Sequence, residues 1–281
     1  MPIADLHLHT TASDGRLTPT QLIELVAGRG LKGVAVTDHD STEGLAEAFA
    51  AAAAYPDLRV VPGIELSTDV PGNEIHVLAY YIQYTDPGVQ ERLARFREGR
   101  VDRARKMVEK LRELGVEIEW DRVQAIAGEG AVGRPHLALA MVEKGYIKEP
   151  REAFDAYIGR NGPAYVEREK LTPVQAVELI RDWGGAAVVA HPGWMPDLDP
   201  TLEELKRAGL VGMEVYYAQY SPERIRELAA VAANHGLLAC GGSDYHGLGN
   251  TGEPLPGNMG PPLDMVDRLR ELATRPASIP A

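Results

Sequence analysis

His7-Leu8-His9 closes the first apolar run of the chain, residues 3–9, and its reading decides the architecture. In a strand, residues i and i+2 face the same side, so these two imidazoles point together and can grip one ion. The pairing of an apolar run with a metal-binding side chain then recurs. Gly33-Val34-Ala35-Val36 leads to Asp38-His39, and Ala187-Val188-Val189-Ala190 leads to His191. Asp14, Glu65, His76 and Asp244-Tyr245-His246 also stand close to such runs. Interior histidines would scatter, whereas these return at strand ends. Imidazoles interleaved with carboxylates form a hard-to-borderline donor set that suits Mn, Fe or Zn. His235 is the exception: it falls near a helix end, where an imidazole favours the dipole, and reads as structural.

Working outward, strand-like runs fall at 3–9, 33–38, 60–66, 74–82, 186–191, 212–217 and 237–241. Helical patterns separate most of them, which predicts repeated βα units and a parallel sheet. Thr18-Pro19, Thr172-Pro173 and Ser221-Pro222 read as helix starts, with Gly30, Gly184 and Gly236 as stops. A closing helix is expected over 263–274, after a Gly- and Pro-rich stretch. Seven strands suit a closed or nearly closed barrel better than an open dinucleotide fold, and the first βα turn lacks a glycine fingerprint. Barrels of this type gather function at the carboxyl ends of their strands. His9, His39, Glu65 and His191 obey that rule; His76, early in its run, fits less neatly. Between the fourth and fifth runs the alternation breaks into helices and loops, with Gly133-Arg134-Pro135-His136 opening one helix. The expected organisation is a barrel formed by 1–97 and 170–281, with an inserted helical subdomain, 98–169, hanging over the metal mouth.

Composition narrows the function. A formal net charge of −12 argues against wrapping long duplex nucleic acid, but not against a small anionic substrate, because clustered cations reverse the local field. Nine Arg and Lys residues between Arg92 and Arg112 form either a solvated helix face or an anion-attracting wall. The one cysteine, Cys240, lies in an apolar run and reads as a small core residue. It allows no disulfide within the chain. The N-terminus has no leader pattern, and no run has the length of a membrane span, so a cytoplasmic protein without a membrane or an obligate protein partner is expected. Acyl transfer has weak support: there is no Gly-x-Ser-x-Gly elbow, and Ser243 beside Asp244 reads as loop geometry rather than as a nucleophile.

His7-Leu8-His9, Thr37-Asp38-His39-Asp40, Gly63-Ile64-Glu65, Ala190-His191-Pro192 and Ser243-Asp244-Tyr245-His246 together resemble the polymerase and histidinol phosphatase (PHP) family, in order across nearly the whole chain. The insertion and its Gly-Arg-Pro-His motif further resemble the branch containing nucleoside 3′,5′-bisphosphate phosphatases and 5′→3′ exoribonucleases. The resemblance implies an α/β fold, a distorted (β/α)7 TIM-like barrel, carrying three divalent ions, usually Mn. Carried over residue by residue, it puts His7, His9, Glu65 and Asp244 on one ion. Glu65 would bridge to a second held by His76 and His191, and Asp14, His39 and His246 would hold the third. Asp38 resembles a residue behind the ligands that orients an imidazole. Glu214, inside a strand, reads as supporting or structural.

Arg134 and His136 are the expected substrate-phosphate contacts, with Arg103 and Arg100 as weaker ones, since a guanidinium holds a phosphate bidentately. The implied activity is hydrolysis of phosphate from nucleoside 3′,5′-bisphosphates, or trimming of short 5′-phosphorylated RNA, by a hydroxide bridging two ions. The acid for the leaving oxygen is either a water on the ions or His136. Trp194, Tyr217 and Tyr245 are aromatic residues that stack on a base or simply pack. Histidinol-phosphate hydrolysis is the rival within enzymes, and a non-catalytic metal-binding regulatory module is the rival from another class.

Overall fold

Seven strands hydrogen-bond in chain order: β1 (Ala4–Leu8), β2 (Gly33–Val36), β3 (Arg59–Val70), β4 (Asn73–Tyr80), β5 (Ala186–Val189), β6 (Leu210–Tyr217) and β7 (Leu238–Gly242). The computed structural model describes residues 4–70, 73–128, 130–167, 171–195, 197–249 and 253–277. Hydrogen bonds beyond β7 draw the two edges of the sheet together. Asp244 N–H donates to the His7 carbonyl and His9 N–H to the Tyr245 carbonyl, both at 3.0 Å. Buried Asp5 adds side-chain stitches, accepting from the N–H groups of Ser243 at 2.9 Å and Gly257 at 2.8 Å. Burial pushes its carboxyl up to about 6 against these donors.

The expectation of a parallel sheet is corrected at one strand. β1, β2 and β3 are parallel, as are β5, β6 and β7, but β4 runs antiparallel to both neighbours. Only residues 71 and 72 separate β3 from β4, and a parallel return needs a crossover of roughly a dozen residues or more. The reversal also accounts for His76. The start of an antiparallel strand lies at the carboxyl end of its parallel neighbours, and His76 pairs with Ser67, two residues beyond Glu65.

Strand alternation sorts the side chains. Ile64, Leu66, Val77 and Val189 pack outward against α7 (Pro173–Asp182), α8 (Leu198–Ala208) and α9 (Pro222–His235) through Val177, Ile180, Leu202 and Leu228. Leu6, Ala35, Val61, Leu78, Tyr80, Val188 and Cys240 form the interior layer, closed by Met265, Val266 and Leu269 of α10 (Met265–Leu272). Burial pushes the Cys240 thiol up, consistent with a packed core residue. α1 (Pro19–Gly28) and α2 (Leu45–Ala52) cover β1 and β2 through Leu22, Ile23, Val26 and Phe49. Thr18 and Thr172 close capping boxes with Gln21 and Gln175, and Ser221 accepts from Arg224 N–H, so all three expected helix starts carry a polar cap. His235 ties α9 to α8, with Asp199 and Glu203 each 2.8 Å from a ring nitrogen.

The insertion has its own apolar cluster, including Met107, Leu111, Ile118, Val123, Leu137, Met141 and Ile158. α3 (Pro87–Glu113) serves both bodies. Its Val89 and Leu93 join the barrel's outer core, and Ala104, Met107, Val108 and Leu111 join the insertion. The boundary expected at residue 98 therefore falls inside a continuous helix, because one amphipathic stripe runs past it. α4 (Trp120–Ala127), α5 (Arg134–Glu143) and α6 (Pro150–Ala153) complete the insertion. None of the described helices is long and apolar enough to cross a membrane.

Inside the barrel, the buried Tyr80 hydroxyl donates to the Leu6 carbonyl at 2.7 Å, where the register of β1 against β2 slips. Tyr80→Phe leaves that carbonyl without its partner and is expected to cost about 1–3 kcal/mol. Urea unfolding measures it, and an unchanged midpoint would show that the bond contributes nothing.

Candidate metal centre

Nine residues converge at the carboxyl end of the barrel. His7 and His9 come from β1 and its end, Asp14 from the loop that follows, and His39 from the end of β2. Glu65 and His76 lie on the adjacent strands β3 and β4, two register positions apart, and His191, Asp244 and His246 follow β5 and β7. Glu65 is the hub. One carboxylate oxygen lies 3.3 Å from His7 Nε2, 3.3 Å from His9 Nε2 and 3.2 Å from His39 Nδ1. The other lies 2.9 Å from His76 Nδ1 and 3.3 Å from His191 Nε2. Asp244 Oδ1 approaches His7 and His9 Nε2 at 3.3 and 3.2 Å, and Asp14 approaches His9, His39 and His246 at 3.5–3.7 Å.

His76 Nδ1 and His191 Nε2 hydrogen-bond to Glu65, but the nitrogens gathered on its other oxygen do not. His7 Nε2, both ring nitrogens of His9 and His39 Nδ1 are buried without a hydrogen-bond partner. Buried nitrogens that converge on carboxylate oxygens without hydrogen-bond alignment are the arrangement a divalent ion requires, so the donor set fits a metal. Among the described residues, three groups bring ligand atoms within 4.8 Å of one another: His9, Asp14, His39 and His246; His7, His9 and Glu65; and His39, Glu65 and His76. Relative to the allotment implied by resemblance, His9 joins the Asp14 group and His39 joins the Glu65–His76 group. His191 and Asp244 stand beside these groups through Glu65, His7 and His9.

The polypeptide is held taut here. His191, Asp244 and Asp40 have φ of 32°, 54° and 50°, left-handed values that cost a residue with a Cβ about 1–2 kcal/mol each. Each is pinned by its N–H: to Glu214 Oε2 at 2.8 Å, the His7 carbonyl at 3.0 Å and the Glu65 carbonyl at 3.0 Å, respectively. Glu214, fully buried, also meets His7 Nδ1 at 3.1 Å, which orients that ring's Nε2 toward the cluster. Asp38 departs from expectation. Its carboxylate holds no imidazole; it accepts from Thr10 N–H, Thr10 Oγ1 and Ser13 Oγ, all at 2.7 Å, and so fixes the loop that carries Asp14.

The insertion forms one wall. Ala131 N–H donates to the Ala12 carbonyl at 3.1 Å, and a Cβ at Gly130 would come within 2.3 Å of the Thr11 carbonyl oxygen. A cavity of about 110 Å³ lies between Asp14, His39 and His76 on one side and Arg100, Arg103 and Arg134 on the other. Arg100 is committed, through Nε to Asp40 at 2.6 Å and Nη2 to Ser67 at 2.7 Å. Arg134 pairs with Glu74, and Arg103 approaches the same carboxylate at 3.6 Å while donating to the Val166 carbonyl at 2.7 Å. Burial opposes the Glu74 charge, but Arg134 outweighs it and holds the carboxyl down at about 2. Glu74 is a member of the site that the sequence reading missed; its place two residues before His76 on the same strand was the available signal. His136 is corrected in the other direction. It is nearly buried, its Nδ1 accepts from Gly133 N–H at 2.9 Å as a helix cap, and it does not line the cavity. The basic run on α3 thus divides between a cavity wall and exposed positions such as Arg95, paired with Glu91.

Burial works against charge on His9, yet Asp244 and Glu65 outweigh it and push the imidazole up to about 10. Burial, with His9 and Arg100 nearby, pushes His39 down to about 3. Burial likewise opposes ionisation of Glu65, Asp14 and Asp244, but the imidazoles hold all three well below the usual carboxylate range.

The profile of the PHP domain family matches residues 5–146. A 3′,5′-nucleoside bisphosphate phosphatase from Chromobacterium violaceum is 37% identical over 257 residues, covering 89% of this chain and 90% of that one. The 5′-3′ exoribonuclease Rnm of Escherichia coli is 36% identical over 252 residues, covering 87% and 85%. A solved structure from Bifidobacterium adolescentis, named as a metal-dependent phosphoesterase, superposes with a TM-score of 0.87 at 31% identity, covering 96% of each chain.

Two outcomes are expected. His9 keeps its proton below about pH 10 in the metal-free chain, and metal needs the neutral ring. Loading with Mn at neutral pH should therefore release protons, and apparent affinity should rise with pH; calorimetry in buffers of different ionisation enthalpy that found no release would contradict this. Asp38→Ala should lower metal affinity roughly 10- to 100-fold by loosening the Asp14 loop, as read by competition with a chelator.

Proposed function

The chain belongs to the PHP domain family and is a metal-dependent phosphoesterase, and from that premise we propose that its substrates are small nucleotides. These are nucleoside 3′,5′-bisphosphates or short 5′-phosphorylated RNA trimmed from the 5′ end. The observation that carries the reading is the placement of Arg134 and Arg103 across a phosphate-sized cavity from the ligand cluster. The relatives named for nucleotide and RNA substrates favour the same chemistry. The three overlapping ligand groups support three divalent ions, and nitrogen and oxygen donors without thiolate suit Mn. When bound, such ions lower the pKa of a water and neutralise phosphoryl oxygens.

The chain's own groups supply position and charge. Arg134 and Arg103 present guanidinium N–H groups to a phosphate that shares the Glu74 side of the cavity. Glu214 holds the His7 ring, and Asp38 holds the Asp14 loop, so the ligands need not reorganise as the reaction proceeds. The Tyr217 hydroxyl donates to Asp244 Oδ2 at 2.8 Å and, being buried beside that charge, keeps its proton. The inserted subdomain, proposed over 98–169, supplies the wall of the cavity opposite the ligands. His136 acts through the Gly133 turn that places Arg134.

Purified protein with Mn, offered adenosine 3′,5′-bisphosphate, histidinol phosphate and a 5′-phosphorylated oligoribonucleotide, tests the reading. Preference for histidinol phosphate would sink it, and turnover of no phosphate ester would favour a binding module. Arg134→Ala should lose about 3 kcal/mol of transition-state stabilisation, on the order of 100-fold in kcat/KM, while retaining its metals. Unchanged kinetics would remove Arg134 from the mechanism.

A further inference from the structure

The cavity beside the ligands, at about 110 Å³, is well below the roughly 300 Å³ of a small-molecule pocket, so it admits a phosphoryl group and leaves the rest of a nucleotide outside. Beyond β5, the short turn Pro192–Trp194 follows His191 directly. Trp194 is 61% exposed, the most exposed large apolar side chain among the described residues. Its position is nonetheless built. Tyr217 and Tyr220 support the indole with ring centroids 5.8 and 5.0 Å away, in edge-to-face arrangement. Tyr217 in turn lies 5.7 Å from the His191 ring and bonds to Asp244. The turn itself is pinned: Gly193 N–H donates to the Tyr220 hydroxyl, and Arg224 Nη2 donates to the Gly193 carbonyl, both at 2.6 Å. Only glycine fits there, because a Cβ would stand 2.4 Å from the Tyr220 ring.

A tightly held turn that leaves an indole open to water, one tyrosine away from two metal ligands, is not explained by core packing. We propose that Trp194 is the stacking platform for the nucleobase of the substrate, an inference that rests on the nucleotide reading above. Every base has a π-face, so the platform selects for a base without selecting which one. A rival location is the groove of about 500 Å³ between α3 and α7, lined by Arg92, Phe96 and Gln175. There the Arg92 guanidinium already covers the Phe96 ring at 5.2 Å, and the Arg100–Asp40–Ser67 hydrogen bonds form the wall toward the cavity. Trp194 carries no such cover.

The Mn-loaded full chain should be compared on adenosine 3′,5′-bisphosphate and the corresponding base-free ribose bisphosphate. In Trp194→Ala the preference for the base-bearing substrate should fall about 5- to 150-fold, mainly through KM, and Trp194→Phe should recover most of it. In parallel, adenosine 5′-monophosphate should quench the wild-type tryptophan fluorescence more than inorganic phosphate does, and this difference should vanish in Trp194→Phe. An unchanged preference in a folded Trp194→Ala, or a collapse produced by Phe96→Ala instead, overturns the inference. Failure of the nucleotide reading shows differently, as wild-type protein that turns over neither nucleotide nor RNA, and the fluorescence titration still decides the place of the base.

Discussion

The carboxylate of Glu65 is the point on which the active end of the barrel depends. Five imidazoles approach it within 3.3 Å, and Asp14, Asp244 and Glu214 bring further negative charge into the same buried space. Burying ionised carboxylates is costly unless they are paired or bound to cations. Histidine protons meet part of that demand in the metal-free chain, which is why His9 rises so far; divalent ions meet it in the working enzyme. The fold therefore keeps the ligand charges together by covalent placement on six strands and the turns that follow them, and by hydrogen bonds to Glu214 and Asp38 that act on backbone and loop as much as on the ligands.

Two departures from a regular barrel serve this arrangement. The tight β3–β4 hairpin reverses one strand, which brings His76 and Glu74 to the ligand end although they begin their run. The long α3 leaves the barrel core and enters the insertion without interruption, so Arg100 and Arg103 face inward beside the ligands while Val89 and Leu93 stay with the barrel. The insertion is thus fastened to the metal mouth at several places, among them this helix, the contact of Gly130 and Ala131 with residues 11–13, and the pairing of Arg134 with Glu74. Glu74 belongs to both worlds, on the ligand strand but paired to an insertion arginine.

Much of this was legible from residue order. A histidine pair at i and i+2 and the recurrence of imidazole or carboxylate after apolar runs pointed to the barrel and to the residues now seen to converge, because strand periodicity is local and survives in one dimension. His136 was misread for a reason of the same kind: Gly-Arg-Pro-His names the right turn, but which of its side chains faces the cavity depends on how the first turn of α5 is capped. Asp38 stands near the ligands as its motif implies, yet its partners are two hydroxyls and a backbone N–H of a neighbouring loop that no spacing rule connects to it.

By itself, then, the sequence determined the strand count, the barrel class and the imidazole and carboxylate side chains that gather at its carboxyl end, since each follows from local periodicity and donor chemistry. Only the tertiary structure decided the direction of β4, the sharing of His9 and His39 between ligand groups, the pairing of Arg134 with Glu74, and the exposure of Trp194. Those depend on which strands meet across the sheet and which surfaces the insertion covers, and both are set by packing between segments far apart in the chain.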